Sequence, residues 1–226
     1  PEMIFTCFCS KCESLMVNNG IDVGELKKVM DAICTLLLNK EFFKAVDILK
    51  NNNLIRNWIY FRQNGITQLL KRLTSQLPHF NFWIDLWPPS YSWLLGQDYS
   101  QLTEEVKRIK HFPYHKLGGG ADVQGLIDHF AGEDTYNQNE CFQAFLKCFD
   151  LPYEIGYEDF KQHGFPIKFV YDENKKVRNL SKKGTIINSG IQMWNIPVDE
   201  FLKTLDIVNS SEADDVIYYC YGWAED

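Results

Sequence analysis

Residues 167–171 read Ile-Lys-Phe-Val-Tyr, and residues 183–187 read Lys-Gly-Thr-Ile-Ile. Both runs are rich in β-branched and aromatic residues, which favours strands over helices. The turn-forming run at 172–174 and a basic stretch separate them, a pattern typical of a hairpin. Residues 191–196 and 216–221 are predicted as two further strands. This end of the chain therefore predicts a small antiparallel β-sheet near the C-terminus.

The remainder of the chain shows the three- and four-residue spacing of amphipathic helices. The clearest case is residues 22–38, where Asp22 and Glu25 have the spacing of a helix cap. Further helices are predicted at residues 41–50, 54–63, 66–77, 100–110, 121–131, 138–149, 153–163 and 197–206. The predicted fold class is α+β and mostly α-helical, with a helical bundle in the N-terminal half.

Three segments are predicted from these patterns. Residues 1–20 form a cysteine-rich N-terminal segment, and residues 21–117 form a helical subdomain. Residues 118–226 combine helices with the small antiparallel sheet and pack as one unit with the subdomain. The run Gly118-Gly119-Gly120 is interpreted as a flexible linker at this boundary, because it lacks the Lys-Ser/Thr of a phosphate-binding loop.

Composition excludes several classes of protein. Of the 226 residues, 45% are hydrophobic, too many for a disordered chain. No apolar run reaches the roughly 18 residues that a membrane-spanning helix needs. Seven cysteines are an odd number, which favours a reducing compartment, so an intracellular protein, cytoplasmic or nuclear, is expected. Because the chain starts with Pro1, either an initiator Met has been removed or the chain is a piece of a longer one.

The net charge of −7 is unevenly distributed along the chain. Residues 1–120 contain 14 Lys and Arg against 11 Asp and Glu, a net charge of +3. Residues 121–226 contain 9 against 19, a net charge of −10. The acidic second half argues against a general polyanion binder, so any nucleic-acid contact is expected in the first half or on a local patch.

Three thiols fall within six residues, at Cys7, Cys9 and Cys12. Zinc is bound by four thiolate or imidazole ligands at tetrahedral corners, and Cys9-x2-Cys12 has the spacing of half such a site. No second half lies nearby. The fourth ligand is therefore predicted to be Cys34, one of the histidines His111 and His115, or a residue upstream of Pro1. The alternative is an N-terminus with free or packed cysteines.

The Cys-x-Cys-x2-Cys arrangement of residues 7–12 is similar to the zinc-binding end of polyomavirus t antigens, in which further cysteines precede it. The likeness covers six residues and implies a bound zinc ion. Since a thiolate-rich site leaves no open position, a structural role is predicted rather than a catalytic one.

Two basic stretches carry the hypothesis of nucleic-acid binding. Positive charge beside aromatic rings suits single-stranded nucleic acid, and Phe112 and Tyr114 lie within the first stretch. A solvated surface is the alternative explanation of such charge runs. The candidate residues are Lys107, Arg108, Lys110, His115 and Lys116 in the first stretch, and Lys175, Lys176, Arg178, Lys182 and Lys183 in the second.

Three tryptophans, Trp83, Trp87 and Trp93, lie in an aromatic connector at residues 78–99. Exposed tryptophans anchor protein partners, whereas buried ones would form a core seam. Because three exposed tryptophans would favour aggregation, burial is the preferred interpretation.

A further group, Asp128, His129, Glu133 and Asp134, combines carboxylates with an imidazole. His129 and Glu133 are four residues apart, the spacing of one helix face, and such a pair suits general acid–base chemistry. With His111 and His115 it carries the hypothesis of an enzyme, although no known catalytic motif accompanies it.

The function predicted first is a non-enzymatic protein-interaction or regulatory domain with a structural zinc site and a protein partner. A nucleic-acid-binding protein is the second hypothesis, and an enzyme with a histidine and acid site is the third.

Overall fold

A computed structural model describes residues 7–116, 122–193 and 196–219. Helices account for 62% of the structure. Within the described ranges lie eleven α-helices, one short 3-10 helix and one four-stranded sheet. In this part of the chain, no helix is long and apolar enough to cross a membrane.

Four helices precede the first strand. They are α1 (Ser10–Asn18), α2 (Val23–Leu38), α3 (Phe42–Asn51) and α4 (Asn53–Gln76). The other helices follow in the order α5 (Pro89–Ser92), the 3-10 helix (Trp93–Leu95), α6 (Tyr99–Glu105), α7 (Val123–Ala131), α8 (Thr135–Cys148), α9 (Tyr157–His163), α10 (Lys168–Leu180) and α11 (Val198–Asn209).

The predicted cap of α2 is confirmed, because the Asp22 carboxylate accepts a hydrogen bond from the Glu25 backbone N–H at 3.0 Å. The prediction of two separate helices at residues 54–63 and 66–77 is wrong, since α4 runs through Gly65 between them and joins both ranges in one helix. A glycine inside a helix costs about 1 kcal/mol relative to alanine, which the hydrogen-bonded turns on either side offset.

The four strands are β1 (Trp83–Leu86), β2 (Arg108–His111), β3 (Ile186–Gln192) and β4 (Asp215–Tyr219). They lie in the order β1-β2-β3-β4, and every neighbouring pair is parallel. The predicted antiparallel sheet is therefore wrong. Helices separate all consecutive strands, so the chain crosses back each time and enters the sheet in the same direction.

The misassigned segment is residues 167–171, since Ile167 is the N-cap of α10 and the next four residues form its first turn rather than a strand. The buried residues of this helix follow the three- and four-residue spacing of one helical face, and they are Phe169, Val170, Glu173, Asn174 and Val177. The buried face of the 13-residue helix therefore decides the secondary structure here, although the first residues of this helix are of types that favour strands. Loss of this strand also removes the hairpin that suggested an antiparallel sheet.

The second misassigned segment is residues 100–110, predicted as one helix. Helix α6 ends at Glu105, and β2 begins three residues later at Arg108. Ile109 is fully buried between two parallel neighbours, which a helical periodicity on its own does not indicate.

The sheet core lies on the face that carries Ile109 and Ile187. These side chains form one cluster with Leu102 of α6 and Val177 of α10. On α11, Val208 packs with Ile191 in a second cluster. Burial of these side chains holds α6, α10 and α11 against the sheet, at roughly 1.5–3 kcal/mol for each fully buried aliphatic side chain.

The chain divides into two compact units. The first comprises residues up to 64 together with 125–152, and the second comprises 65–124 together with 153 onward. Helices α3 and α8 contact each other within the first unit. The Lys50 ammonium there pairs with the Asp150 carboxylate at 2.5 Å. The parallel sheet belongs to the second unit.

Candidate functional site

The three N-terminal thiols lie together at the start of α1. Cys9 is the N-cap of this helix, and Cys12 is its third residue, so the two side chains lie on the same side of the first turn. Cys7 precedes them in the chain and brings a third sulfur to the group. The three Sγ atoms lie within 4.8 Å of one another. Three sulfurs bound to one zinc ion at 2.3 Å would lie about 3.8 Å apart, so only a small inward movement is required.

The thiol group lies next to a packed framework formed by α1 and α2. Phe8 and Cys12 pack against the core of the first unit, and Met16 of α1 is buried in it. The Lys27 ammonium on α2 pairs with the Glu13 carboxylate at 2.6 Å and lies 5.0 Å from the centre of the Phe8 ring. Lys27 of α2 therefore contacts both the first turn of α1 and the residue Phe8 that precedes this helix.

The thiols differ in acidity. The backbone N–H of Cys12, followed by the thiols of Cys7 and Cys12, lowers the pKa of Cys9 to about 7. The neighbouring thiols of Cys9 and Cys7 raise the pKa of Cys12 to about 11. One thiolate therefore forms readily at the positive end of the helix, and its charge opposes the next ionisation. Thiolates bind metal, so the site begins with one ready ligand.

Cys34, one of the predicted fourth ligands, does not join this group. Among the described residues, only Cys7, Cys9 and Cys12 meet the distance condition for a shared metal, so Cys34 on α2 stays outside it. Cys141 and Cys148 are buried, and burial raises the pKa of each thiol to about 12. Cys220 and the predicted linker at 118–120 lie outside the described residues.

His111, the last residue of β2, is fully buried in the second unit. Its Nε2 lies 2.6 Å from the Asn174 Oδ1 atom. The Asn174 amide nitrogen donates to the Ser211 hydroxyl, which itself donates to the Val208 carbonyl. Since the amide oxygen must accept, His111 carries its proton on Nε2. In the described part of the chain, its Nδ1 has no hydrogen-bond partner.

His115 follows β2 by four residues and is 3% exposed. Burial lowers the pKa of its imidazole to about 4, with a further lowering from Lys116 and an opposing effect of Glu200. Both histidines that sequence analysis offered as metal ligands or basic contacts are therefore buried and neutral near pH 7. The two histidines do not lie on one helix, because His111 ends strand β2 and Pro113 follows it in the chain.

Most of the predicted nucleic-acid contacts have partners within the chain. Lys110 pairs with Asp85, Lys116 with Glu200, Lys176 with Glu173, Arg178 with Asp214, and Lys182 with Glu104. Lys175 and Lys183 are exposed. These ion pairs position loops and helices around the sheet, so the two basic stretches do not form one continuous free surface.

Two of the cations, Lys107 and Arg108, line an open cleft of about 800 Å³ beside the start of β1 and β2. Phe80 and Trp83 in this cleft are 67% and 49% exposed. The guanidinium of Arg108 lies 6.0 Å from the Trp83 ring centre and 3.6 Å from the Asp215 carboxylate. The basic stretch of the sequence indicated the two cations, whereas the composition of the connector gave no sign that Phe80 is exposed.

Of the three tryptophans, Trp83 is exposed, whereas Trp87 and Trp93 are half-buried. The Trp87 ring packs edge-on against Phe112, with 5.4 Å between ring centres. The connector is therefore divided, with one tryptophan available at the cleft and two packed near α5.

The proposed histidine and acid group is also divided. His129 and Glu133 are exposed at the end of α7, and Asp134 caps α8 through the Asn137 backbone N–H. His129 and Glu133 belong to the first unit, whereas His111 and His115 belong to the second.

Comparison with known proteins found no protein-family model, no curated protein and no solved structure that matches this chain. The residues and their geometry therefore carry the functional interpretation.

Proposed function

We propose that the protein is a non-enzymatic interaction or regulatory protein whose N-terminal helix carries a structural zinc ion bound by Cys7, Cys9 and Cys12. The observation that carries this proposal is the three Sγ atoms within 4.8 Å of one another. Thiolates are preferred ligands of zinc, and three of them bind it far more selectively than carboxylates do.

The surroundings of the thiols support a structural role. The ion would join the residues before α1 to its first turn, while Phe8 and Met16 anchor the same segment to the core. The three thiolates occupy three tetrahedral positions, and a residue of a protein partner would fill the fourth, which gives the closed ligand set of a structural site. Such a position at an exposed helix start is suited to contact with another protein.

Purified, reduced protein is expected to contain about one zinc ion per chain, because three preorganised thiolates bind zinc strongly at neutral pH. Elemental analysis of protein prepared without added zinc measures this ratio. Replacement of zinc by Co²⁺ would add a sulfur-to-cobalt absorption band that reports thiolate ligation directly.

The matched variants are Cys9→Ser and Cys34→Ser. The first removes the thiol whose pKa is lowered to about 7 and is expected to abolish stoichiometric zinc. The second removes a nearby cysteine that is outside the group and should retain it. Zinc-free wild-type protein with all thiols reduced, or equal loss of zinc in both variants, would contradict the proposal.

We infer a second candidate function, binding of single-stranded nucleic acid, for the cleft beside β1 and β2. Two features support it: Phe80 and Trp83 expose aromatic faces, and Lys107 and Arg108 line the same cleft. Bases stack on aromatic side chains while cations contact the phosphates, and neither contact requires a particular sequence.

Fluorescence anisotropy with a labelled single-stranded oligonucleotide tests this inference. The Trp83→Ala variant is expected to weaken binding by about tenfold, since stacking is worth roughly 1–3 kcal/mol per base. Lys107→Gln should reduce the dependence of log affinity on log salt by about 0.7, the value for one phosphate contact. Lys183→Gln, which removes an exposed cation outside the cleft, serves as the control. The inference of nucleic-acid binding would be overturned if Trp83→Ala bound the oligonucleotide as tightly as the wild type does, or if the affinity did not depend on salt.

A further inference from the structure

The second unit contains a cavity of about 420 Å³ beside the carboxyl ends of two strands. His115 and Lys116 follow β2, and Glu200 lies in the first turn of α11, the helix after β3. In open parallel sheets, ligands bind outside the carboxyl ends of the strands, where the loops converge. The cavity therefore occupies the part of the sheet that most often holds a ligand.

The wall of this cavity is rigidly placed. The Phe165 backbone N–H donates to the His115 carbonyl oxygen at 2.7 Å, and the Lys116 ammonium donates to the His163 carbonyl oxygen at 2.8 Å. Gly164 has φ of 72°, and a Cβ atom there would lie 2.2 Å from the His115 oxygen. Only glycine permits this close approach of the two backbone segments.

The floor of the cavity is apolar, and its rim is charged. Ile155, Phe165, Pro166 and Ile167 provide the apolar surface. Such a combination is typical of a site for a small organic molecule, whose body is buried while a few polar groups orient it.

One polar side chain in this wall, that of His115, is almost fully buried. His115 is 3% exposed. Its imidazole makes no hydrogen bond with any described residue. Buried polar groups are nearly always hydrogen-bonded, so this ring is suited to a ligand or to water. Because burial keeps the imidazole neutral, one of its nitrogens is an acceptor.

The charges of the rim favour a cation as the ligand. Lys116 is paired with Glu200 at 2.7 Å, and Lys203 is paired with Asp199 at 3.0 Å. Asp159, on α9, lines the cavity without an ion pair in the described part of the chain. One negative charge therefore remains uncompensated next to the apolar floor.

We propose that this cavity binds a small primary amine with an apolar body. Its ammonium group donates hydrogen bonds to the Asp159 carboxylate and to the free nitrogen of His115, and its apolar body lies against Phe165 and its neighbours. A small acid of the same size would face the Asp159 carboxylate and leave that charge unpaired, so the site discriminates against anions.

NMR titration of the intact protein with phenethylamine tests the proposal, with 3-phenylpropionate as the anion of similar size. The amine should cause saturable shifts of the His115 ring signals and of the Gly164 N–H. The acid should not. Asp159→Asn is expected to weaken amine binding by about tenfold or more, the typical effect of losing a hydrogen bond to a charged group.

Glu158→Gln is the matched control, because this exposed carboxylate on the same helix pairs with Lys161 and does not line the cavity. It should bind the amine as the wild type does. Absence of saturable binding, equal binding of the acid, or equal weakening in Glu158→Gln and Asp159→Asn would overturn the proposal. Both substitutions are at exposed positions, so the fold is retained and each result is interpretable.

Discussion

Replacing Lys176 with Met is expected to lower the free energy of unfolding by about 3 kcal/mol, because it leaves a buried carboxylate without its cation. The carboxylate belongs to Glu173 of α10, which is fully buried in the second unit. It accepts hydrogen bonds from the Ser90 backbone N–H at 3.0 Å and the Ser90 hydroxyl at 2.7 Å. The Lys176 ammonium completes the group at 2.8 Å from the same carboxylate.

The double variant Lys176→Met/Glu173→Gln provides the decisive comparison. In the wild-type background, Glu173→Gln removes a satisfied charge and should destabilise the protein. In the Lys176→Met background, the same substitution removes an unpaired buried charge and should restore part of the lost stability. The effect of one substitution therefore changes sign with the presence of its partner.

Chemical denaturation at pH 7 measures each free energy of unfolding. Lys175→Met is the control, since this neighbouring lysine is exposed and its replacement should change stability by less than about 0.5 kcal/mol. If Lys176→Met matches Lys175→Met, or if Glu173→Gln destabilises both backgrounds equally, the ion pair does not contribute as expected.

Acidification is expected to destabilise the protein between about pH 6.5 and pH 4 through His111 and His115. Burial lowers the pKa of both imidazoles to about 4, against an ordinary value of 6.5. In this range the unfolded chain binds protons that the folded chain does not, so stability falls as the pH falls. At about 1.4 kcal/mol per pKa unit, each histidine contributes about 3 kcal/mol of this loss.

The free energy of unfolding falls with falling pH because the pKa of each histidine is lower in the folded state than in the unfolded state. Above pH 6.5 both states hold the histidines neutral, and their full contribution to stability is present. Below pH 4 the folded state also takes up the protons, and this loss levels off. The carboxylates add their own acid dependence, so the histidine contribution is obtained by comparing variants.

The matched pair is His111→Gln and His129→Gln. The first removes a buried imidazole and should reduce the slope of the unfolding free energy with pH between 4 and 6.5 by up to about 1.4 kcal/mol per pH unit. The second removes an exposed imidazole and should leave the slope unchanged. Equal slopes in His111→Gln and the wild type would contradict the prediction.

The local periodicity of the sequence predicted the helices well where an amphipathic face was long. Residues 22–38 and their Asp22 cap were located within a residue, because the capping hydrogen bond and the apolar stripe are both local properties. The sequence predicted the strands less well. Residues 108–111 form a strand but lie mostly in a predicted helix, and residues 167–171 were predicted as a strand but begin a helix. Runs of four or five residues fit the periodicity of either structure.

The candidate sites also differ in whether neighbouring residues or distant segments of the chain form them. The thiols of residues 7–12 are neighbours in the chain, so their sequence spacing alone predicts that they lie together. The cavity lined by His115, Asp159 and Glu200 depends on three separate segments, and no local pattern connects them. The same holds for Glu173, whose partner Ser90 lies 83 residues earlier in the chain.

The sequence by itself therefore determined the helical character of the chain and the thiol cluster, because turns, caps and closely spaced ligands depend on neighbouring residues. Only the tertiary structure decided that the sheet is parallel, that His111 and His115 are buried and neutral, and which lysines are paired. Strand direction and burial depend on contacts between residues far apart in the chain, and the free energy of those contacts appears only when the helices pack against the sheet.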